Sequence, residues 1–109
     1  MKQWFAVATQ PRKEARARAN LLNQHFDVYL PCFKKMVRHA RRQSWGLAPL
    51  FPGYLFVWMD PGAARWRAIN STVGVNHLVS QNDRPVPIDE SVIAQIHDAE
   101  DGAGHVQLH

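Results

Sequence analysis

An α+β domain, with helices flanking an antiparallel sheet, is what this sequence predicts. Three observations carry the prediction. From Tyr54 to Met59 the side chains alternate, with Tyr54, Phe56 and Trp58 on one face and Leu55, Val57 and Met59 on the other. Two stretches, ending near Gln24 and Glu100, combine helix starts with apolar residues at helical spacing. Around them the segments run strand, helix, hairpin, strand, helix, strand, helix. The 109 residues fit one domain, burying about 65% of the unfolded surface.

Residues 3–9 read as the first strand, rich in aromatic and β-branched side chains. Thr9-Gln10-Pro11 is a helix start, with Pro11 near the first turn and Glu14 at the positive end of the dipole. The helix runs to about Gln24. Ala15, Ala19 and Leu22 are expected to face the sheet, and Arg12, Arg16, Asn20 and Asn23 to form a neighbouring polar stripe. Residues 27–37 read as extended, interrupted by Pro31, with residues 41–47 as their antiparallel partner. His39-Ala40 offers no strong turn pair, so a longer, mobile basic hairpin is expected.

Pro49, Pro52 and Gly53 deliver the chain into a central strand over 53–59. A strand apolar on both faces must be covered on both, and a chain this short is expected to leave part of that surface for a partner. Asp60-Pro61-Gly62 ends the strand. A short helix over 63–69 follows on Ala63, Ala64 and Ala68. Residues 75–79 read as a strand and Gln81-Asn82-Asp83 as a turn. The last helix spans 88–100, with Asp89 as N-cap and Val92, Ile93 and Ile96 as its apolar face. The chain from Asp101 to His109 is expected to be loose.

Net charge is +4, and its placement is one-sided. No acidic residue occurs between Asp27 and Asp60, a gap that holds Lys34, Lys35, Arg38, Arg41 and Arg42. Acids gather late, at Asp89, Glu90, Asp98, Glu100 and Asp101. A positive field of this kind attracts nucleic acid through phosphate contacts, although a plain solubilising surface has the same composition. No apolar run approaches a membrane span, and the N-terminus lacks the pattern of a signal peptide. With the single Cys32 unable to form an internal disulfide, a cytoplasmic protein is expected.

The stretch Pro49-Leu50-Phe51-Pro52-Gly53-Tyr54-Leu55-Phe56-Val57 resembles the central motif of the NusG N-terminal (NGN) domain family, a bacterial transcription elongation module. It is nearest to the specialised antiterminator branch typified by RfaH. Trp4-Phe5-Ala6-Val7 with Thr9 and Glu14-Ala15 resemble the family's opening strand and helix. Ile69-Asn70, Thr72, Gly74-Val75 and Pro85-Val86-Pro87-Ile88 resemble later segments. The likeness runs from about Trp4 to Ile96. It implies a ferredoxin-like NGN domain over residues 3–101, a flexible tail over 102–109, and no KOW domain, the small β-barrel the family usually appends. Either the chain is a fragment of a longer protein or it acts through polymerase alone.

The resemblance also implies partners. Phe51, Tyr54, Phe56, Ile93 and Ile96 are expected to grip the clamp helices of the largest subunit of bacterial RNA polymerase. Apolar aromatic anchors in a groove suit a helical partner. Phe56 reads equally as core or contact. Arg65-Trp66-Arg67 stands where close antiterminator relatives carry His-Thr-Thr, which touches the second large subunit across the DNA cleft. Here a Trp between arginines either makes that contact or packs on the sheet with its arginines in solvent. Arg12, Arg16, Asn20, Asn23, Gln24 and Thr72 lie where the branch reads non-template DNA. Gln10, Asn20, Asn23 and Val73 replace basic residues there, so that branch's DNA preference does not transfer. With Lys34, Lys35, Arg38, Arg41 and Arg42 they form the candidate surface for non-template or upstream DNA.

The predicted function is a transcription elongation and antitermination factor domain that bridges the cleft and suppresses pausing, acting as a monomer. The alternative is a stand-alone nucleic-acid-binding module of ferredoxin-like shape, with bases stacked on Phe and Trp. No catalysis, cofactor or metal is expected. The six histidines lack paired zinc spacing, the four-residue gap of His105 and His109 falls in the expected tail, and no phosphate loop is present.

Overall fold

The computed structural model describes residues 1–108 of the chain. Its main sheet contains β1 (Gln3–Thr9), β2 (Asp27–Tyr29), β5 (Tyr54–Met59), β6 (Val75–Leu78) and β9 (Pro87–Ile88), with β7 (Ser80–Gln81) and β8 (Arg84–Pro85) pairing as a short ribbon between the last two. The order is β2-β5-β1-β6, with β9 also pairing β1, and every pairing is antiparallel. This is the α+β class with an antiparallel sheet that the residue pattern predicts.

The alternation in β5 sets the two cores. Leu55, Val57 and Met59 face Phe5, Val7, Ala17, Leu21, Ile69, Val75 and Leu78. That side is closed by α1 (Glu14–Asn23) and a 3₁₀ helix (Trp66–Ser71). Phe56 faces the other way and packs with Ile93, Ile96 and Val106, flanked by Trp4, Ala6, Tyr29 and Leu50. That side is closed by α2 (Glu90–Asp98) and the chain beyond it.

Several expectations are corrected. The inward face of α1 is Glu14, Ala17 and Leu21, not the expected Ala15, Ala19 and Leu22, a shift of one or two positions at each place. A buried carboxylate at the helix start lies on that face, which inverts the expected pattern. Its oxygen accepts from Gly53 N at 3.4 Å, and the helix dipole favours the charge there. The segment read as a helix over 63–69 is a 3₁₀ helix shifted toward Ser71. It begins past Pro61-Gly62, with Ala68 N donating to Arg65 O three residues back. Within α2, Ile93 and Ile96 are buried but Val92 is 44% exposed.

β3 (Cys32–His39) and β4 (Arg42–Pro49) form a separate two-stranded arm. A two-residue turn joins them rather than a long loop. Ala40 and Arg41 both adopt positive φ, at 46° and 69°, and His39 pairs with Arg42. These are type I′ signs, reached without Asn or Gly because the paired strands hold the turn closed.

The segment after α2, expected loose, folds back. Asp101 accepts from Ala103 N and His105 N, Glu100 bridges Val106, and Val106 N donates to Cys32 O at 2.8 Å. Val106 is thereby buried against Phe56. The chain thus covers most of both faces of β5 itself, and the part left open is Tyr54 at the start of the strand, 45% exposed. His109, with its spacing to His105, lies outside the described residues. Among the described residues no helix is long and apolar enough to cross a membrane.

Candidate docking and nucleic-acid surfaces

Phe51-Pro52-Gly53-Tyr54 is a tight turn. Tyr54 N donates to Phe51 O at 3.0 Å, and Gly53 has φ of 83°. Pro at the second position and positive-φ Gly at the third are the marks of a type II turn. The turn is tied down from both sides, because Thr9 N donates to Gly53 O at 2.8 Å and Gly53 N donates to Glu14. It therefore presents Phe51 and Tyr54 on a rigid mount, 40% and 45% exposed.

The other three residues of this group sit elsewhere. Phe56 is 7% exposed, Ile93 1% and Ile96 9%. They form the second core and have little free surface. Phe56 acts from beneath, meeting Phe51 edge-on with ring centroids 5.8 Å apart and planes at 87°. The apolar docking candidate thus contracts to Phe51 and Tyr54.

Behind Phe56, the Tyr29 ring centroid lies 4.2 Å from that of His97 on α2, and Tyr29 donates its hydroxyl to Glu100. Burial, then that hydrogen bond, push the Tyr29 phenol well above its ordinary value. Tyr29 stays a neutral donor, and this contact latches the end of α2 to β2.

Arg65, Trp66 and Arg67 lie at the far end of β5 from the turn. Trp66 is half-buried and packs on the first core. The Arg67 guanidinium carbon stands 4.3 Å from the Trp66 ring centroid. Of the two arrangements open for this triplet, the ring is inward and the arginines are outward. Arg65 lines a groove of about 470 Å³ with Lys2, Gln24, His25, Asp27 and Trp58.

The residues expected on one polar stripe of the first helix divide. Arg12 is not on α1 but in the turn before it, with φ of 62°; it is exposed, as are Arg16 and Asn23 on the helix. Gln24 donates to Thr72 Oγ1 at 2.8 Å, and Asn20 donates to Val73 O at 2.9 Å. Thr72 is 6% exposed and donates to Ala68 O. These three side chains join α1 to the loop after the 3₁₀ helix, so Thr72 is withdrawn from any direct base contact. Lys34, Lys35, Arg38, Arg41 and Arg42 are all exposed along the arm.

Sequence reasoning passed over three further arm residues. Met36, Trp45 and Leu47 are 44%, 68% and 57% exposed. The signal available was Trp45 and Leu47 at strand spacing in a stretch with no polar alternation between them and the proline.

Among the described residues no three metal-ligating side chains gather. Residues 2–97 match the protein family described as "Transcription termination factor nusG". The chain belongs to the NusG family. It is similar to the transcription termination/antitermination protein NusG of Thermus thermophilus, 29% identical over 109 residues, covering 86% of this chain and 59% of that protein. The NusG of Helicobacter pylori strain 26695 is 25% identical over 107 residues, covering 88% and 60%. The solved structure "Domain interaction in Thermotoga maritima NusG" matches with a TM-score of 0.59 at 25% identity, over 84% of this chain and 52% of that one. This chain therefore spans no more than 60% of the length of these three NusG relatives. Both the exposed turn and the arm lie inside the matched range.

Proposed function

We propose that this chain is the polymerase-gripping domain of a transcription elongation and antitermination factor, working in the manner of the specialised antiterminator branch. Phe51 and Tyr54 dock on the clamp helices of the largest RNA polymerase subunit. Arg65 and Arg67 reach the second large subunit, and the arm with Arg12 and Arg16 follows non-template or upstream DNA. A domain that holds both sides of the DNA cleft keeps the clamp closed and disfavours pausing. The domain works as a monomer in the cytoplasm and catalyses nothing.

One observation carries this reading: two aromatic rings half out in solvent, fixed on a proline–glycine turn anchored to β1 and α1. Single exposed apolar residues are ordinary. A paired, preorganised aromatic mount loses little entropy on binding and suits a helical apolar partner. The two proposed polymerase contacts lie at opposite ends of β5, roughly 20 Å apart for six extended residues, which fits a bridge.

Capture of core RNA polymerase, with and without an excess of the isolated clamp-helix segment, tests the reading. Capture should be strong, should be lost to the competitor, and should be weakened by Tyr54→Ala. Capture indifferent to the competitor overturns it. Oligonucleotide binding without polymerase capture would favour the stand-alone nucleic-acid module, whose affinity falls steeply with salt.

A further inference from the structure

The arm carries an apolar strip that nothing in the described chain covers. Pairing across β3 and β4 sets Lys34 opposite Leu47, Met36 opposite Trp45 and Arg38 opposite Gln43. Directly opposed residues point to the same face, and so do residues two apart along a strand. One face of the arm therefore reads Lys34/Leu47, Met36/Trp45, Arg38/Gln43. Trp45 lies 68% exposed on this face, with Met36 and Leu47 beside it. Lys34 and Arg38 bracket this apolar rung at about 13 Å from each other, four residues apart on an extended strand. At the arm's base a groove of about 250 Å³ continues the strip, lined by Phe33, Lys34, Trp45, Val106, Gln107 and Leu108.

We infer that this face is a stacking platform for an unpaired nucleic-acid strand, with a base on Trp45 and its flanking phosphates on Lys34 and Arg38. The charge pattern selects the occupant. No acidic residue lies between Asp27 and Asp60, so the arm's own charges are all positive, with Lys35 and Arg42 on its opposite face and Asp101 of the returning segment near Lys34 at its base. An apolar protein helix would meet two cations beside the ring and lose their hydration. A strand of phosphates with free base faces gains from both features at once. Indole offers a flat π-face that any base can stack on, and lysine and arginine follow the backbone. A base inside a duplex has no free face, so the platform discriminates single strands from double. This inference rests on the reading that the arm lies against nucleic acid, and adds which residue touches a base and what kind of strand it takes.

The test uses the full chain with short fluorescent oligodeoxythymidine, oligouridine and a DNA duplex, each through a salt titration. Trp45→Ala should weaken binding of at least one single strand roughly tenfold, leave duplex affinity unchanged and leave the salt slope unchanged. Trp45→Phe should retain most of the affinity. Lys34→Ala and Arg38→Ala should each flatten the salt slope by about 0.7. Trp45 is mostly in solvent, so these variants fold, and unchanged thermal unfolding verifies it. Single-strand affinity unchanged in Trp45→Ala overturns the inference. So does an equal loss on duplex, or binding to phosphatidylserine vesicles in place of either oligonucleotide. Clamp-helix capture separates the two readings. If wild-type protein ignores the clamp helices yet needs Trp45 for single strands, the polymerase reading falls and the platform stands.

Discussion

Phe51 stands edge-on over Phe56, ring centroids 5.8 Å apart, one ring 40% exposed and the other 7%. Adjacent aromatics of one motif therefore have separable jobs. Tyr54→Ala should cost about 1–3 kcal/mol of clamp-helix affinity and leave the unfolding midpoint nearly unchanged. Phe56→Ala removes a ring from the second core and should cost about 3–5 kcal/mol of stability. Denaturant unfolding beside clamp-helix titration checks the split. A Tyr54→Ala protein that binds at full strength would remove the turn from the interface.

Gln24 and Thr72 make the second case. The Gln24 amide donates to Thr72 Oγ1 at 2.8 Å, so a residue aligned with DNA recognition is engaged within the chain. Gln24→Ala should lower stability by about 1 kcal/mol, the net worth of one such bond. It should leave oligonucleotide affinity unchanged. Urea melts and fluorescence anisotropy on the same preparation decide between a brace and a reader.

What was legible in the sequence had a strong local cause. The alternation in β5 is written in six consecutive large side chains, and Asp89 caps α2 as its residue type and position indicate. What was not legible depended on distant partners. Leu21 and Leu22 are adjacent, and which of them turns inward follows from packing against distant segments: Leu21 joins Phe5, Leu55 and Ile69 in the first core while Leu22 is 41% exposed. The Ala40-Arg41 turn carries no glycine, so its geometry follows from strand pairing rather than from its own residues. Phe56 is core because Val106 returns to the sheet, a contact no local pattern announces. The exposed aromatic mount was readable from Pro52 and Gly53, while of the strip around Trp45 only the Trp45–Leu47 spacing was readable, and the register adds Met36 opposite Trp45.

Two glycines with positive φ should respond differently to alanine. Gly53, at 83°, has nothing within 4 Å of where a Cβ would stand, so Gly53→Ala meets backbone strain alone, about 1–2 kcal/mol. Gly74, at 95°, would set its Cβ 2.9 Å from Ala17 N and 3.1 Å from Ala17 Cα. Backbone atoms of a packed helix cannot swing aside. Gly74→Ala adds that clash to the strain and should cost about 2–4 kcal/mol. Matched chemical melts give the comparison, and equal losses would mean that α1 shifts freely against the loop.

Acid should loosen α2 through its cap. Ser91 N donates to Asp89 Oδ1 at 2.9 Å, and this hydrogen bond to the ionised carboxylate holds the Asp89 value below the ordinary one. Asp101 is lowered in the same direction, by the His105 N–H first and the Ala103 N–H after it. A carboxyl with a depressed value in the folded state binds its proton more weakly there than in the unfolded chain. Its contribution is therefore present above the unfolded value, near 4, and is lost as pH falls through the lower folded value. Asp89→Ala should melt below wild type at neutral pH, because the cap is gone. The gap should begin to narrow as pH drops below about 4 and close once pH has passed the lower folded value, where the wild-type cap is itself protonated. Hydrogen-exchange protection at Ile93 and Ile96, taken relative to the intrinsic rate at each pH, should fall over the same range before protection at Leu21, since α2 and the segment ending at Val106 close only the second core. A gap that stays constant down to the lowest pH would show that the Asp89 side chain holds the helix by packing, not by its charge.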